Sequence, residues 1–157
     1  MKREYLDTVG LIERLHRYFL EVVKGEIERL GVRDINNVQA MLLYHVGSDE
    51  LTVGELTERG YYLGSNVSYN LKKLVEAGYI DQARSPHDRR SVRVKLSIKG
   101  VEFRRRMDSV FDRHAERLVR SSVRGEDLKS METGLRRLEM FWAQTLRDTA
   151  SPVTTAA

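Results

Sequence analysis

The side chains of this sequence that are best suited to recognition chemistry lie along one predicted helix, from Asn66 to Ala77. Apolar residues at helical spacing leave small polar groups and lysines on the other face. An asparagine amide can form two hydrogen bonds with adenine, hydroxyl groups can reach a base or a phosphate, and lysines neutralise phosphate. This face therefore fits the major groove of duplex DNA, although a merely solvated helix face is the alternative. Its residues are Ser65, Asn66, Ser68, Tyr69, Lys72 and Lys73.

A second polar group lies in the loop from Ser85 to Arg90, where Asp88 precedes Arg89 and Arg90. An arginine inserted into a narrow minor groove is favoured electrostatically. A neighbouring carboxylate can hold its guanidinium in place. Phosphate would repel Asp88, so we interpret this carboxylate as orienting an arginine. The alternative is an ordinary hairpin tip that faces solvent.

Local signals predict the helices that would hold the first group. Thr52 lies three residues before Glu55, which is the spacing of a capping box and predicts a helix from Val53 to Arg59. A glycine-rich turn is predicted to extend to Gly64, with the next helix beginning near Asn66. The prediction is therefore a helix, a turn and a second helix.

Alternating segments after this helix pair predict two antiparallel strands, from Tyr79 to Arg84 and from Ser91 to Ser97. The loop between them is too long for a two-residue hairpin and should project as a wing. Together with the helices, this wing makes a winged helix-turn-helix. The fold class predicted is mainly α with a small β-hairpin wing.

Long amphipathic helices are predicted on both sides of this module. One runs from Tyr5 to Leu30 with a face expected to be buried, and Asp34 is expected to cap the helix that follows it. Ser97 is expected to cap a helix that starts near Ile98. The last helix carries a heptad seam, which is a pairing surface for helices of the same chain or of a partner. The seam residues are Leu128, Met131, Leu135, Leu138 and Trp142.

Composition excludes several classes of protein. The chain has 157 residues, a net charge of +4 and no cysteine, so disulfides and thiolate metal sites are excluded. Residues 52–95 hold eight Lys and Arg against five acidic residues, so this segment is locally basic. The four histidines show no metal-binding spacing, and no catalytic motif is present. We predict no enzyme, no metal and no cofactor, and we expect a cytoplasmic protein without a membrane span.

The segments ELTERGYYLGSNVSYNLKKLVEAGYI and SPHDRRSVRVKLSIKG resemble the winged helix core of the multiple-antibiotic-resistance regulator (MarR) family. The Asp88-Arg89-Arg90 wing and the ending Leu-Ser-Ile-Lys-Gly at 96–100 are the most specific matches. By this resemblance Arg90 is the minor-groove arginine and Asp88 its partner. Base-facing positions are then Asn66, Ser68 and Tyr69. The turn departs from the family pattern, because Gly60 precedes two tyrosines.

The resemblance also implies an obligate homodimer that binds pseudo-palindromic operators and is released by a small aromatic or phenolic effector. We therefore predict a single domain over residues 1–157, with a winged helix core at about 35–97 and dimerisation helices at about 5–30 and 98–148. Residues 149–157 are expected to form a flexible tail. Candidate residues of the effector pocket, for each of which simple core packing is the alternative, are His16, Met41, Tyr44, Tyr62, Phe111 and His114.

The function predicted is a sequence-specific DNA-binding regulator of transcription, acting as a ligand-responsive repressor. Two alternatives are kept open. One is a protein-interaction adaptor that uses the winged helix only as a scaffold. The other is an architectural DNA binder without an effector. The adaptor should bind duplex DNA with little dependence on salt, and the architectural binder should show little preference for sequence.

Overall fold

A computed structural model of the chain describes residues 1–47, 50–60, 64–84 and 92–150. These residues divide into two compact units, Met1–Val110 and Phe111–Ala157. In chain order, the elements within the described ranges are α1 (Lys2–Arg29), α2 (Asn37–Val46), β1 (Leu51–Thr52), α3 (Val53–Gly60), α4 (Gly64–Glu76), β2 (Ile80–Arg84), β3 (Val92–Leu96), α5 (Ile98–Val119) and α6 (Gly125–Ala150).

The three strands form one antiparallel sheet in the order β1-β3-β2. Ile80 pairs with Leu96 and Arg84 with Val92, so the two predicted wing strands are confirmed. Leu51 of β1 pairs with Val94 on the other side of β3. Val94 is fully buried. The central strand thereby fixes the sheet to the core of the first unit.

The core of the first unit is built around α2, whose Leu42 and Leu43 are completely enclosed. The winged helix elements contribute Leu56, Leu74 and Val94 to the buried set, and α5 contributes Met107. Burying a side chain of this size stabilises the fold by about 1.5–3 kcal/mol. The helices of the module therefore pack apolar side chains into one shared core, and this core holds α4 in place.

Two helix starts differ from the sequence predictions. Asn36, and not Asp34, caps α2: its side chain accepts from the Gln39 backbone N–H, and the Gln39 side chain accepts from the Asn36 backbone N–H. Asp34 is instead held by side chains from other elements. Helix α4 begins at Gly64, two residues earlier than predicted, so Gly64 belongs to the helix and not to the turn.

Only the end of α1 has the buried face that was predicted. Val23 and Ile27 are buried, whereas Leu15 is 53% exposed and Val22 is 46% exposed. The 28 residues of α1 span about 42 Å at 1.5 Å each, which exceeds what one small core can cover. The first two-thirds of the helix therefore carry apolar side chains that this chain leaves in solvent.

The second unit contains α6 and the end of α5. The predicted seam on α6 is continuous along the helix, with Leu128, Met131 and Leu135 each between 45% and 48% exposed. Leu138 and Trp142 are half-buried. The helix extends to Ala150, and the remainder of the predicted tail, residues 151–157, lies outside the described residues. This helix also has apolar side chains in solvent.

Candidate nucleic-acid interface

Helix α4 separates polar from apolar residues as the sequence predicts. Val67, Leu71 and Leu74 on its inner face are 5% exposed or less. Tyr69 is 62% exposed. The amide of Asn66 makes no hydrogen bond to any other described residue, so its donors and acceptor are available to a partner. The exposed side chains on its outer face are Asn66, Ser68, Tyr69, Lys72 and Lys73.

The two lysines of this face share one acidic neighbour. Lys73 Nζ donates to Glu76 Oε2 at 3.0 Å, and Lys72 Nζ lies 3.9 Å from Glu76 Oε1. The hydrogen bond from Lys73 lowers the pKa of Glu76, and the same bond raises the pKa of Lys73. Lys73 is therefore charged at neutral pH, and the Glu76 carboxylate lies beside the amino groups of both lysines.

Neighbouring elements hold α4 by side-chain contacts. Gln39 of α2, which is 7% exposed, donates through its amide to Asn70 Oδ1 at 3.2 Å. Asn70 in turn donates to the carbonyl oxygen of Asn66 at 2.9 Å. The predicted capping box of α3 is present, with Thr52 N–H donating to Glu55 at 2.7 Å and Glu55 N–H donating to Thr52 Oγ1 at 3.1 Å. These contacts fix the helix that precedes the turn and the helix that follows it.

The end of α4 is fixed by the residues that begin α5. Gly78 leaves the helix with a φ of 77°, a conformation that favours glycine. Ser97 Oγ donates to the Gly78 carbonyl at 2.6 Å, and the Ser97 N–H donates to the Tyr79 carbonyl at 3.0 Å. Ser97 also accepts from the Gly100 N–H at 3.1 Å, so it caps α5 as predicted. One serine thus joins the exit of α4 to the start of α5.

Three further side chains meet at the same junction. Lys99 Nζ donates to Asp34 Oδ2 at 2.6 Å and to the Ala77 carbonyl at 2.8 Å. It lies 4.0 Å from the centroid of the Tyr79 ring. The Tyr79 hydroxyl donates to Asp34 Oδ1 at 2.8 Å. Reasoning from sequence did not find this cluster, because its members lie as much as 65 residues apart.

The wing is described only in its strands. On β3, Arg93 Nε lies 4.0 Å from Glu50 Oε1. Lys95 is exposed. Asp88, Arg89 and Arg90 lie outside the described residues, as does the side chain of Ser65. Their predicted contacts with DNA therefore remain predictions.

The predicted effector residues are distributed over both units. His16 is exposed, and Met41 is buried. Tyr44 is half-buried and donates to Asp108 Oδ1 at 2.8 Å. In the second unit Phe111 and His114 pack edge to face, with ring centroids 6.3 Å apart. Tyr62 lies outside the described residues.

A cleft of about 720 Å³ lies in the first unit, between the end of α1 and the segment that leads into α2. Its walls include Glu21, Lys24, Ile27, Arg33 and Asn37, and none of the predicted effector residues that the structure describes lines it. This cleft was not predicted from the sequence. Its walls mix charged, amide and apolar side chains from the end of α1, the connecting segment and the start of α2, and such a mixture has no distinctive spacing in the sequence.

Two kinds of feature are absent from the described ranges. No group of three or more His, Asp or Glu side chains there could hold a metal ion. No helix in the same ranges is long and apolar enough to cross a membrane.

The order α2-β1-α3-α4-β2-β3, with a three-stranded sheet against the second and third of its helices, defines a winged helix-turn-helix protein. Solved structures share this architecture. Streptococcus pneumoniae FabT in complex with DNA has a TM-score of 0.71 and 20% identity, over 90% of this chain and 99% of that chain. A mutant MarR from E. coli complexed with operator DNA has a TM-score of 0.73 and 18% identity, over 86% and 95% respectively. At such identities the likeness shows the fold.

Sequence comparison identifies the family. The profile of the MarR family matches residues 33–91. A Rhizobium meliloti (strain 1021) protein, the exopolysaccharide II synthesis transcriptional activator ExpG, is 40% identical over 147 residues, covering 91% of this chain and 74% of that protein. The HTH-type transcriptional regulator YkoM of Bacillus subtilis (strain 168) is 32% identical over 80 residues, covering 51% of this chain and 49% of that protein. The chain belongs to the MarR family of transcriptional regulators.

Proposed function

We propose that this regulator binds duplex DNA in a sequence-specific manner, with α4 in the major groove. The observation that carries the proposal is the division of α4 into a buried apolar face and an exposed polar face. The major groove is about 12 Å wide and accepts one helix of this kind. Asn66, Ser68 and Tyr69 would meet base edges near the start of the helix. Lys72 and Lys73 would contact the phosphate backbone.

We propose that the wing adds a minor-groove contact. Arg90 would enter the groove, where the negative potential is strongest, and Asp88 would hold its guanidinium. Arg89 and Ser65 would contact phosphate. The antiparallel pairing of β2 and β3, the two strands that flank this segment in the sequence, supports the proposal.

The proposed active form is a homodimer on pseudo-palindromic operators. Exposed apolar side chains along α1 and α6 support it, since such surfaces are costly in water and mark interaction sites. The α4 helices of the two protomers would have to lie about 34–36 Å apart to enter successive major grooves. We further propose that the helices at about 5–30 and 98–148 set this spacing, so that the whole chain acts as one functional domain.

We propose that a small aromatic or phenolic effector controls DNA binding. Such a ligand acts by binding more tightly to a dimer whose reading helices have another spacing. The proposed contacts are those of the predicted pocket. Within the first unit, half-buried Tyr44 combines an apolar ring with a polar hydroxyl; within the second unit, Phe111 and His114 pair an apolar ring with a polar one. Small-molecule sites use such mixtures of apolar and polar groups.

Repression is the proposed output, since a dimer bound across a promoter excludes polymerase. Activation is the second candidate, because the relative that is 40% identical is named a transcriptional activator. The two outputs need the same protein–DNA geometry and differ in where the operator lies. A reporter driven by the selected operator, with and without the protein, distinguishes them.

The central test is selection of bound fragments from a random duplex library, followed by titration of the selected duplex over a range of salt concentrations. Each phosphate neutralised contributes about −0.9 to the slope of log affinity against log salt. We expect a steep slope and a selected inverted repeat. A flat slope would favour the protein-interaction adaptor. A steep slope without any selected sequence would favour the architectural binder.

A further inference from the structure

The cluster at the exit of α4 joins three parts of the first unit. Asp34 lies in the connection between α1 and α2, Tyr79 follows α4, and Lys99 lies in the first turn of α5. The carboxylate of Asp34 receives both other side chains, one on each oxygen. Lys99 also holds the Ala77 carbonyl, one of the last carbonyls of the helical turn that ends α4.

Electrostatics keeps this cluster intact at neutral pH. Burial alone would raise the pKa of Asp34, but the hydrogen bonds from Lys99 and Tyr79 outweigh burial and lower it. Burial and the neighbouring carboxylate raise the pKa of Tyr79. The carboxylate therefore remains an acceptor and the phenol a donor over the whole physiological range.

The ion pair of this cluster is half-exposed, with side-chain exposures of 48% for Lys99 and 46% for Asp34. Exposed ion pairs contribute little to global stability. Lys99 has three contacts at once, with a carboxylate, a backbone carbonyl and an aromatic face, so its geometry is strongly restricted. Such a cluster therefore contributes less to global stability than to fixing the positions of the residues that it joins.

We propose that Asp34, Tyr79 and Lys99 are positioning residues that fix the C-terminal end of α4 and thereby orient its DNA-facing side chains. The inference rests on the proposed function, because orientation matters only if α4 meets DNA. All three residues lie outside α4 itself. Loss of Lys99 removes its bond to the Ala77 carbonyl, and loss of Asp34 or of the Tyr79 hydroxyl releases a restraint on the cluster that holds Lys99.

The test compares three variants, Asp34→Ala, Tyr79→Phe and Lys99→Met, on the duplex selected by the wild-type protein. Matched controls are Glu21→Ala and Lys24→Met, which change the charge equally at exposed residues of α1. Circular dichroism at the assay temperature serves to check that each variant is folded. We expect all three variants to bind about fivefold or more weakly, because contacting residues are coupled by such amounts.

The sign of the Asp34→Ala effect separates positioning from simple electrostatics. Removing an acidic residue should strengthen attraction to DNA, and we expect Glu21→Ala to bind as tightly as the wild type or more tightly. Weaker binding by Asp34→Ala therefore supports positioning. Tighter binding by Asp34→Ala would overturn it, since Lys99 would then act as a phosphate ligand freed from its carboxylate.

Two further measurements exclude other roles. A salt slope unchanged by Lys99→Met supports positioning, whereas a slope shallower by about 1 would assign Lys99 a direct phosphate contact. Amide hydrogen exchange in residues 74–79 should become faster in all three variants without DNA. Unchanged exchange together with wild-type affinity would overturn the inference while leaving the proposed function intact. Failure of the wild-type protein to bind any duplex would overturn both.

Discussion

Asn66 is the residue from which most sequence discrimination is expected. Its amide is exposed near the start of α4 and can pair with adenine through two hydrogen bonds. We expect Asn66→Ala to relax preference at one position in each half-site by about 1–3 kcal/mol. The measurement is a titration of the selected duplex and of duplexes substituted at each position, at fixed salt.

The control for this variant is Gln144→Ala, which removes an exposed amide from α6. It should leave every duplex affinity unchanged. An Asn66→Ala protein that keeps the full preference at all positions would show that this amide does not contact a base.

Asp34 gives a prediction for stability against pH. Its pKa is lowered in the folded chain, so its contribution to stability is present above its unfolded pKa of about 4 and is lost as the pH falls through the folded value. We expect Asp34→Ala to lower the melting temperature at pH 7 and to have a smaller effect at pH 3. Thermal unfolding of both proteins across this range is the measurement, and a difference that grows on acidification would contradict it.

At the scale of elements, Gly100 has a packing role that the sequence does not reveal. A Cβ at this position would overlap the carbonyl oxygen of Tyr79 and press against Leu96. We therefore expect Gly100→Ala to destabilise the fold by about 1–3 kcal/mol, the usual cost of overpacking. Chemical denaturation measures the change in free energy of unfolding.

The matched control is Gly25→Ala within α1, where an added Cβ meets nothing within 4 Å. Alanine is the better helix former, so this variant should be more stable by about 0.5–1 kcal/mol. Equal effects from the two substitutions would mean that α5 does not approach the exit of α4 as closely as described.

Local patterns predicted the winged helix elements well, and long-range contacts account for most of the differences. The capping box at Thr52 and Glu55 and the cap at Ser97 act over a few residues, and both were confirmed. Asp34 was expected to cap α2, but Asn36, whose side chain is equally able to cap a helix, takes that place. Lys99, 65 residues further along the chain, donates to the Asp34 carboxylate, so this carboxylate is engaged away from the start of α2. The apolar stripe of α1 was predicted as buried, but periodicity does not tell which molecule buries it.

At the scale of the whole molecule, a line of exposed apolar side chains on α1 is the clearest feature. Leu11, Leu15, Tyr18 and Val22 follow one another in steps of four, three and four and are each at least 46% exposed. This spacing is the seam by which helices pair. A charge placed in the seam should therefore prevent dimer formation and, with it, operator binding.

We expect Leu15→Glu to be monomeric at micromolar concentration in sedimentation velocity and to bind the inverted repeat far more weakly. The control is Arg17→Gln, which makes the same change in net charge on the opposite side of the helix. It should remain dimeric. A dimeric Leu15→Glu protein would place the partner contact on another surface.

Glu76 would affect how strongly the lysines of α4 attract DNA of any sequence. This carboxylate lies beside the amino groups of Lys72 and Lys73 as a counterion, so in the proposed complex each lysine would exchange one anion for another on meeting a phosphate. The attraction common to all DNA would thereby be weakened, while the proposed contacts to base edges would be unchanged. Because a genome offers many competing non-specific sites, weaker non-specific attraction would favour binding at the specific operator. Glu76→Gln should accordingly tighten binding to random and selected duplexes alike and lower the ratio between them, as parallel titrations would show.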